Sequence, residues 1–155
     1  MKRIIVAAKS INNIIGINND LAWSMPADLK HYHDLVRGSW AIMGRTTYES
    51  TYEPVPIQKT IVVTRNENYT SQSNSVKIVS GLQESFQYAK ENNQEQVFVL
   101  GGGNIYEQAI NMVDEMIITE IEVKVEGDTL FPIIDLNEWY ISKKVEHKAD
   151  KHNPY

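Results

Sequence analysis

Six short apolar runs do most to limit what this chain can fold into. They are "RIIVAA" (3–8), "WAIMG" (40–44), "KTIVVT" (59–64), "VKIVS" (76–80), "VFVLGG" (97–102) and "EMIITEI" (115–121). Each is continuous rather than alternating, the mark of strands covered on both faces of a mostly parallel sheet. Helical patterns fall between them, over 26–37, 46–51, 81–91 and 103–110. This alternation predicts an α/β architecture with helices on both faces. The tail differs: "EVKVEGDTLFP" (122–132) is polar and ends in Pro, and "EWYISKKVEHK" (138–148) reads as an extended strand. With no helical pattern between 115–121 and 138–148, an antiparallel C-terminal edge is expected. The stretch "NENYTSQSNS" (66–75) reads as a polar surface loop rather than a boundary. A single domain over 1–155 is expected, long enough to bury a core without staples.

Several function classes drop out. The chain has no Cys, which removes disulfides and thiolate metal sites and fits a reducing compartment, with a cytoplasmic location expected. The formal net charge is -5 and the basic residues are dispersed, so neither nucleic acid nor an anionic membrane is an expected partner. No stretch approaches the ~20 apolar residues of a membrane span. The N-terminal "MKRIIVAAKS" is too short in its apolar run for a signal segment and reads as a first strand. No metal site is expected.

Three strand ends carry chemistry. In "IMGRTTYES" (42–50) a strand meets Gly44 and then a helix start, whose free backbone N–H groups suit a phosphate. Arg45, Thr46 and Thr47 add a cation and two hydroxyls; an ordinary turn with a Thr cap is the equal alternative. In "VLGGGNIYEQ" (99–108) three consecutive glycines follow a strand and open a helix. Close approach of a pyrophosphate to bare backbone is one reason for them. Tight packing is the other, and it explains one glycine better than three. Tyr106 stands where the dinucleotide fingerprint needs its last glycine. In "VVTRN" (62–66), Thr64 and Arg65 suit an extra ribose phosphate, against a plain solvated Arg. All three features lie at strand C-terminal ends, where open α/β sheets bind ligands. Together they point to a phosphorylated dinucleotide.

The stretch "WSMPADLKHYH" (23–33) holds an acid at an odd place. Helical spacing puts Asp28 on one stripe with Tyr32 and Leu35, beside Leu29. An acid in a first helical turn is ordinarily explained by the dipole or by capping, with Ser24 or Asp28 itself. Apolar company is not explained that way. A carboxylate in an apolar pocket suits gripping a ligand's N–H pair and steering a proton.

These motifs, "AWSMPADLKHY", "AIMGRTTYES", "VFVLGGGNIYEQ" and "VEGDTLFP", resemble dihydrofolate reductase in order and spacing over nearly the whole chain. The resemblance implies the family's α/β fold: a central, mostly parallel eight-stranded sheet with an antiparallel C-terminal edge and helices on both faces. It implies hydride transfer from NADPH to the pterin of 7,8-dihydrofolate. Asp28 matches the acid that pairs with the pterin N3 and 2-amino group and favours N5 protonation. Trp23 matches the pocket's Trp and Thr119 the supporting Thr. Val6 and Leu100 match carbonyls that meet the pterin amine, and Tyr106 the Tyr near the nicotinamide. Ala7, Leu29, Tyr32, Thr51, Val55 and Gln58 complete the implied substrate cleft. For the cofactor, Ala8, Ile15 and Gly16 match nicotinamide contacts, and Leu21 the tip of the closing loop "GINNDLAW" (16–23). Gly44, Arg45, Thr46 and Thr47 would serve one end of the pyrophosphate. Gly102, Gly103, Asn104 and Ile105 would serve the other. Thr64 and Arg65 would take the 2′-phosphate. Antifolates are implied ligands.

Three departures stand out. Gln58 replaces the Arg that grips the α-carboxylate of the substrate's glutamate tail, and a neutral amide cannot form that bidentate pair. Tyr32 replaces a Phe, and Thr51 adds polarity to the tail cleft. The sequence ends at "KADKHNPY", where the family continues into one more antiparallel strand. Strand 138–148 would then offer an unpaired edge, so the expectation is a monomer with self-association open through that edge. Two other readings remain. One is a reductase of another dihydropterin or of a ribosylated pyrimidine; the other is an NADPH-binding module without turnover.

Overall fold

The computed structural model describes residues 1–16, 26–49, 57–66, 68–70, 75–122 and 124–144. In chain order its elements are β1 (Lys2–Ser10), β2 (Ile14–Gly16), α1 (Pro26–Val36), β3 (Trp40–Gly44), α2 (Arg45–Glu49), β4 (Lys59–Val63), β5 (Val76–Val79), α3 (Leu82–Glu91), β6 (Gln96–Val99), α4 (Gly103–Ala109), β7 (Glu115–Ile121) and β8 (Thr129–Leu130). The main sheet has the order β5-β4-β3-β6-β1-β7, and each neighbouring pair is parallel. The continuous apolar runs are its strands. Ile5, Ile42, Ile61, Val62, Val97 and Val99 are fully buried.

Side chains alternate across the sheet and divide the core in two. One face carries Ile5, Ala7, Ile42, Ile61 and Val99 against Leu82, Phe86 and Ala89 of α3 and Ile105, Tyr106 and Ala109 of α4. The other carries Ile4, Val6, Ala41, Met43, Phe98 and Leu100 against Val36 of α1, with Tyr32 and Leu35 packed alongside. Helices therefore cover both faces, as the alternation predicts. Two local devices fix the outer helix: Glu84 accepts from the Ser80 N–H and hydroxyl ahead of α3, and the Arg3 guanidinium lies 4.4 Å from the Phe86 ring centroid.

The edge differs from expectation. Among the described residues the main sheet has six strands, and the antiparallel pairing is the separate pair β2–β8. These two strands are three and two residues long, too short to show a period. A side-chain lattice makes them instead. Asn13 takes φ 64°, which Asn tolerates, and its carbonyl accepts from the Phe131 N–H. The Ser10 hydroxyl accepts from the Ile14 N–H, and the Asn12 amide donates to the Val125 carbonyl. The expected strand over 138–148 does not form over 138–144; residues 145–148 lie outside the described residues. Asp135 starts a turn there, with its carboxylate accepting from Asn137 N–H and its carbonyl from Glu138 and Trp139 N–H. Beyond it Tyr140 and Ile141 are largely exposed. A strand needs a neighbour for its ladder, and no described residue pairs with these.

Candidate active site

The C-terminal ends of β3 and β6 are tied together by backbone. The Gly44 N–H donates to the Gly101 carbonyl at 2.8 Å, and the Leu100 N–H to the Ile42 carbonyl at 2.9 Å. Two of the three phosphate-seat sequences thus form one surface, with α2 and α4 starting side by side. The first intrahelical bond of α4 runs from Tyr106 N–H to the Gly102 carbonyl. The N–H groups of Gly103, Asn104 and Ile105 precede it, so they have no partner within the helix. Gly44 and Ile105 pack closely: a Cβ on Gly44 would sit 3.2 Å from the Ile105 side chain.

All three glycines of 101–103 turn out to have a steric reason. Gly101 has φ +109° and lies under the Tyr106 ring, where a Cβ would meet it at 3.0 Å. A Cβ on Gly102 would lie 3.1 Å from Thr47 Oγ1, and one on Gly103 2.8 Å from the Thr129 methyl. Packing therefore explains the whole run, not one glycine of it. The backbone brought close by that packing is the same backbone that carries the helix-start N–H groups of α4.

Tyr106 links this surface to β1. Its hydroxyl donates to the Val6 carbonyl at 2.8 Å in a buried setting, and its ring tilts against Phe131 at 5.1 Å. Val6 lies on the α1 face of the sheet with Leu100. Register places Ala8 beside Thr119 and Val6 beside Ile117. Period-two alternation then puts Thr119 and Ala8 on the α1 face as well. Tyr32 of α1 packs over the same cluster. Burial pushes the Tyr32 phenol well above its ordinary value, and no described residue bonds its hydroxyl. Ala7, Ile15 and Ile105 belong to the opposite face. Gly16 closes β2 opposite Thr129.

Gln58 lies at the opposite, N-terminal end of the strands. It precedes β4, its N–H donates to the Ser39 carbonyl, and its Oε1 accepts from Trp40 Nε1 at 3.3 Å. The Ser39 N–H in turn bonds the Val36 carbonyl at the end of α1. A helix of 11 residues spans ~16 Å, so α1 runs from the strand C-terminal ends down to Gln58. Asp28 and Leu29 lie in the first turns of α1. Leu21, Trp23, Thr51 and Val55 lie outside the described residues.

The third seat follows β4. The Thr64 N–H bonds the Val79 carbonyl and its hydroxyl accepts from the Asn66 N–H, leaving Arg65 exposed. Arg45 and Thr46 are exposed and Thr47 half-buried at the start of α2. The exposed Asn104 carboxamide oxygen accepts from Gln108. One participant escaped the sequence reading. Tyr69, in the stretch taken as a polar loop, lies with its ring centroid 5.7 Å from the Arg45 guanidinium. Its phenol is pushed up by burial and by the hydrogen bond it donates to Glu49. A lone aromatic in an otherwise polar loop was the available signal.

Among the described residues, no group of three or more His, Asp or Glu side chains is placed to hold a metal, and no helix is long and apolar enough to cross a membrane.

Comparison with known proteins agrees with this arrangement. The family model described as dihydrofolate reductase matches residues 3–155. The dihydrofolate reductase of Staphylococcus aureus (strain Mu50) is 34% identical over 149 residues, covering 96% of this chain and 89% of the relative. The type 3 dihydrofolate reductase of Salmonella typhimurium is 33% identical over 151 residues, covering 97% and 91%. Among solved structures, dihydrofolate reductase from Enterococcus faecalis complexed with NADP(H) and RAB-propyl superposes with a TM-score of 0.86 at 30% identity, covering 98% of this chain and 89% of that one. The sheet, the paired glycine turns and these matches across the chain have one reading: it belongs to the dihydrofolate reductase family.

Proposed function

We propose that this chain reduces 7,8-dihydrofolate to 5,6,7,8-tetrahydrofolate with NADPH. The observation that carries the reading is the Gly44–Gly101 backbone bond. It joins two helix starts into one surface at the C-terminal ends of β3 and β6, which suits a phosphate. The donor set fits the cofactor: helix-start N–H groups and the Arg45 cation for the pyrophosphate, Thr64 and Arg65 for the 2′-phosphate. When bound, NADPH supplies the hydride.

The chain's own residues orient and polarise. Asp28, one helical turn before Tyr32, holds the pterin N3 and 2-amino group and favours protonation at N5. Thr119 and Trp23 support that network. The Val6 carbonyl accepts from Tyr106, and in this reading it and the Leu100 carbonyl meet the pterin amine. Ala8, Ile15 and Gly16 border the nicotinamide, and Leu21 belongs to the segment that excludes water. Tyr32, Leu29, Thr51 and Val55 line the tail cleft, with Gln58 at its end. A cytoplasmic monomer that binds antifolates in the same cleft completes this reading.

The test is NADPH oxidation with dihydrofolate, run beside a dihydropterin without the glutamate tail. Turnover of dihydrofolate is expected. Turnover of neither compound by folded protein that binds NADPH would replace the enzyme with a binding module.

A further inference from the structure

We propose that Tyr69 is a positioning residue for the cofactor site: it takes the Glu49 carboxylate for itself and so keeps the Arg45 guanidinium available to a cofactor phosphate. The reasoning starts from helix geometry. Arg45 and Glu49 are the first and last residues of α2, four apart, and side chains at that spacing are neighbours on a helix surface. An exposed Arg and Glu so placed ordinarily meet. Among the described residues they do not form an ion pair, whereas Lys30 and Asp34, at the same spacing on α1, do, at 3.0 Å.

Tyr69 interacts with both. The loop after β4 is folded back by local bonds: Thr64 Oγ1 accepts from the Asn66 N–H, Asn66 Oδ1 from the Asn68 N–H, and the Asn66 carbonyl from the Tyr69 N–H. That brings the Tyr69 ring to 5.7 Å from the guanidinium, within cation–π range, and its hydroxyl to the Glu49 carboxylate. A ring attracts a guanidinium without consuming its N–H donors. The carboxylate that would consume them is occupied by the phenol. The same loop starts with Thr64 and Arg65, so Tyr69 also fastens the two phosphate-binding segments to each other.

This role presupposes that Arg45 meets the cofactor, so the experiment carries an Arg45 arm. NADPH dissociation constants would be measured by fluorescence titration on the full chain. The variants are Tyr69→Phe, Glu49→Gln, the Tyr69→Phe/Glu49→Gln pair, and Arg45→Ala. Phe keeps the ring stacked, so the fold is retained and only the hydroxyl is lost. Tyr69→Phe is expected to weaken binding about twofold, the scale of one exposed helical ion pair. Glu49→Gln alone stays near the parent value, and in the pair it restores affinity, because a neutral amide does not capture Arg45. Weakened binding that Glu49→Gln does not rescue would make Tyr69 merely structural and overturn the inference. An unchanged Tyr69→Phe beside a weakened Arg45→Ala would overturn it while leaving the cofactor assignment standing. An unchanged Arg45→Ala would remove Arg45 from the cofactor site, and Tyr69 with it.

Discussion

Tyr106 and Val6, a hundred residues apart in sequence, are joined by a buried 2.8 Å hydrogen bond from phenol to carbonyl. The bond crosses from α4 to β1, between segments that the proposed function assigns to cofactor and to substrate. Tyr106→Phe removes the donor and leaves a buried carbonyl short of a partner. A loss of ~1–2 kcal/mol in unfolding free energy is expected. The same substitution loosens the register between the two halves of the site, so the Michaelis constants for both ligands should rise. Urea denaturation beside steady-state kinetics reads both. Unchanged stability would mean that water replaces the phenol at the Val6 carbonyl.

Asp28→Asn keeps the size of the side chain and removes its charge. If that acid favours N5 protonation, the hydride step should slow about a hundredfold or more while NADPH affinity is retained. Pre-steady-state NADPH absorbance isolates the step. Normal hydride transfer in the variant would sink the assignment of Asp28.

How far the sequence carried this site depends on where the information is stored. The main strands were legible because burial on both faces writes an unbroken apolar run, as in Ile4–Ala7 and Val97–Leu100. The pair β2–β8 was not, because it is held by Ser10 bonding the nearby Ile14 N–H and by Asn12 and Asn13 bonding to distant backbone rather than by a pattern. The 138–144 stretch has strand-like composition, yet composition cannot provide a hydrogen-bonding neighbour. The glycine run at 101–103 is expected to answer mainly to a pyrophosphate, with packing accounting for one glycine, whereas protein neighbours crowd all three. Its partners Tyr106, Thr47 and Thr129 come from three separate segments, and only the fold identifies them. Tyr69 was missed for the same reason: its meaning lies in Arg45 and Glu49, twenty or more residues away.

Tyr32 gives a prediction in pH. Burial raises its phenol pKa in the folded state above the unfolded value of about 10. Below that value both states are neutral and the group has no effect on the slope. Above it the unfolded chain releases the proton while the folded chain retains it, so stability falls as pH rises. Tyr32→Phe should leave stability at pH 7 unchanged or slightly improved, since no described residue bonds the hydroxyl. It should also flatten the alkaline loss. Thermal midpoints from pH 7 to 11 for the two proteins would show this. Parallel curves would place the alkaline sensitivity elsewhere.

Gln58 tests how the tail of the substrate is held. Its Oε1 is taken by the Trp40 indole N–H, which leaves its NH2 group as the remaining side-chain donor. That donor is neutral. A guanidinium in its place would form a charge-assisted, two-point contact with a carboxylate, worth ~1.5–3 kcal/mol. Gln58→Arg should therefore lower the Michaelis constant for dihydrofolate about tenfold or more, and leave that of the tail-less dihydropterin where it was. The Trp40 bond is lost in the variant, but it is long and exposed, so the cost to folding is small. The ratio of the two constants is the deciding quantity, because a general effect on the protein would move both. A ratio that rises places Gln58 at the glutamate carboxylate, held more weakly here by an amide. A ratio that stays fixed means that position 58 lies out of reach of the tail, and that the tail finds its grip on another residue.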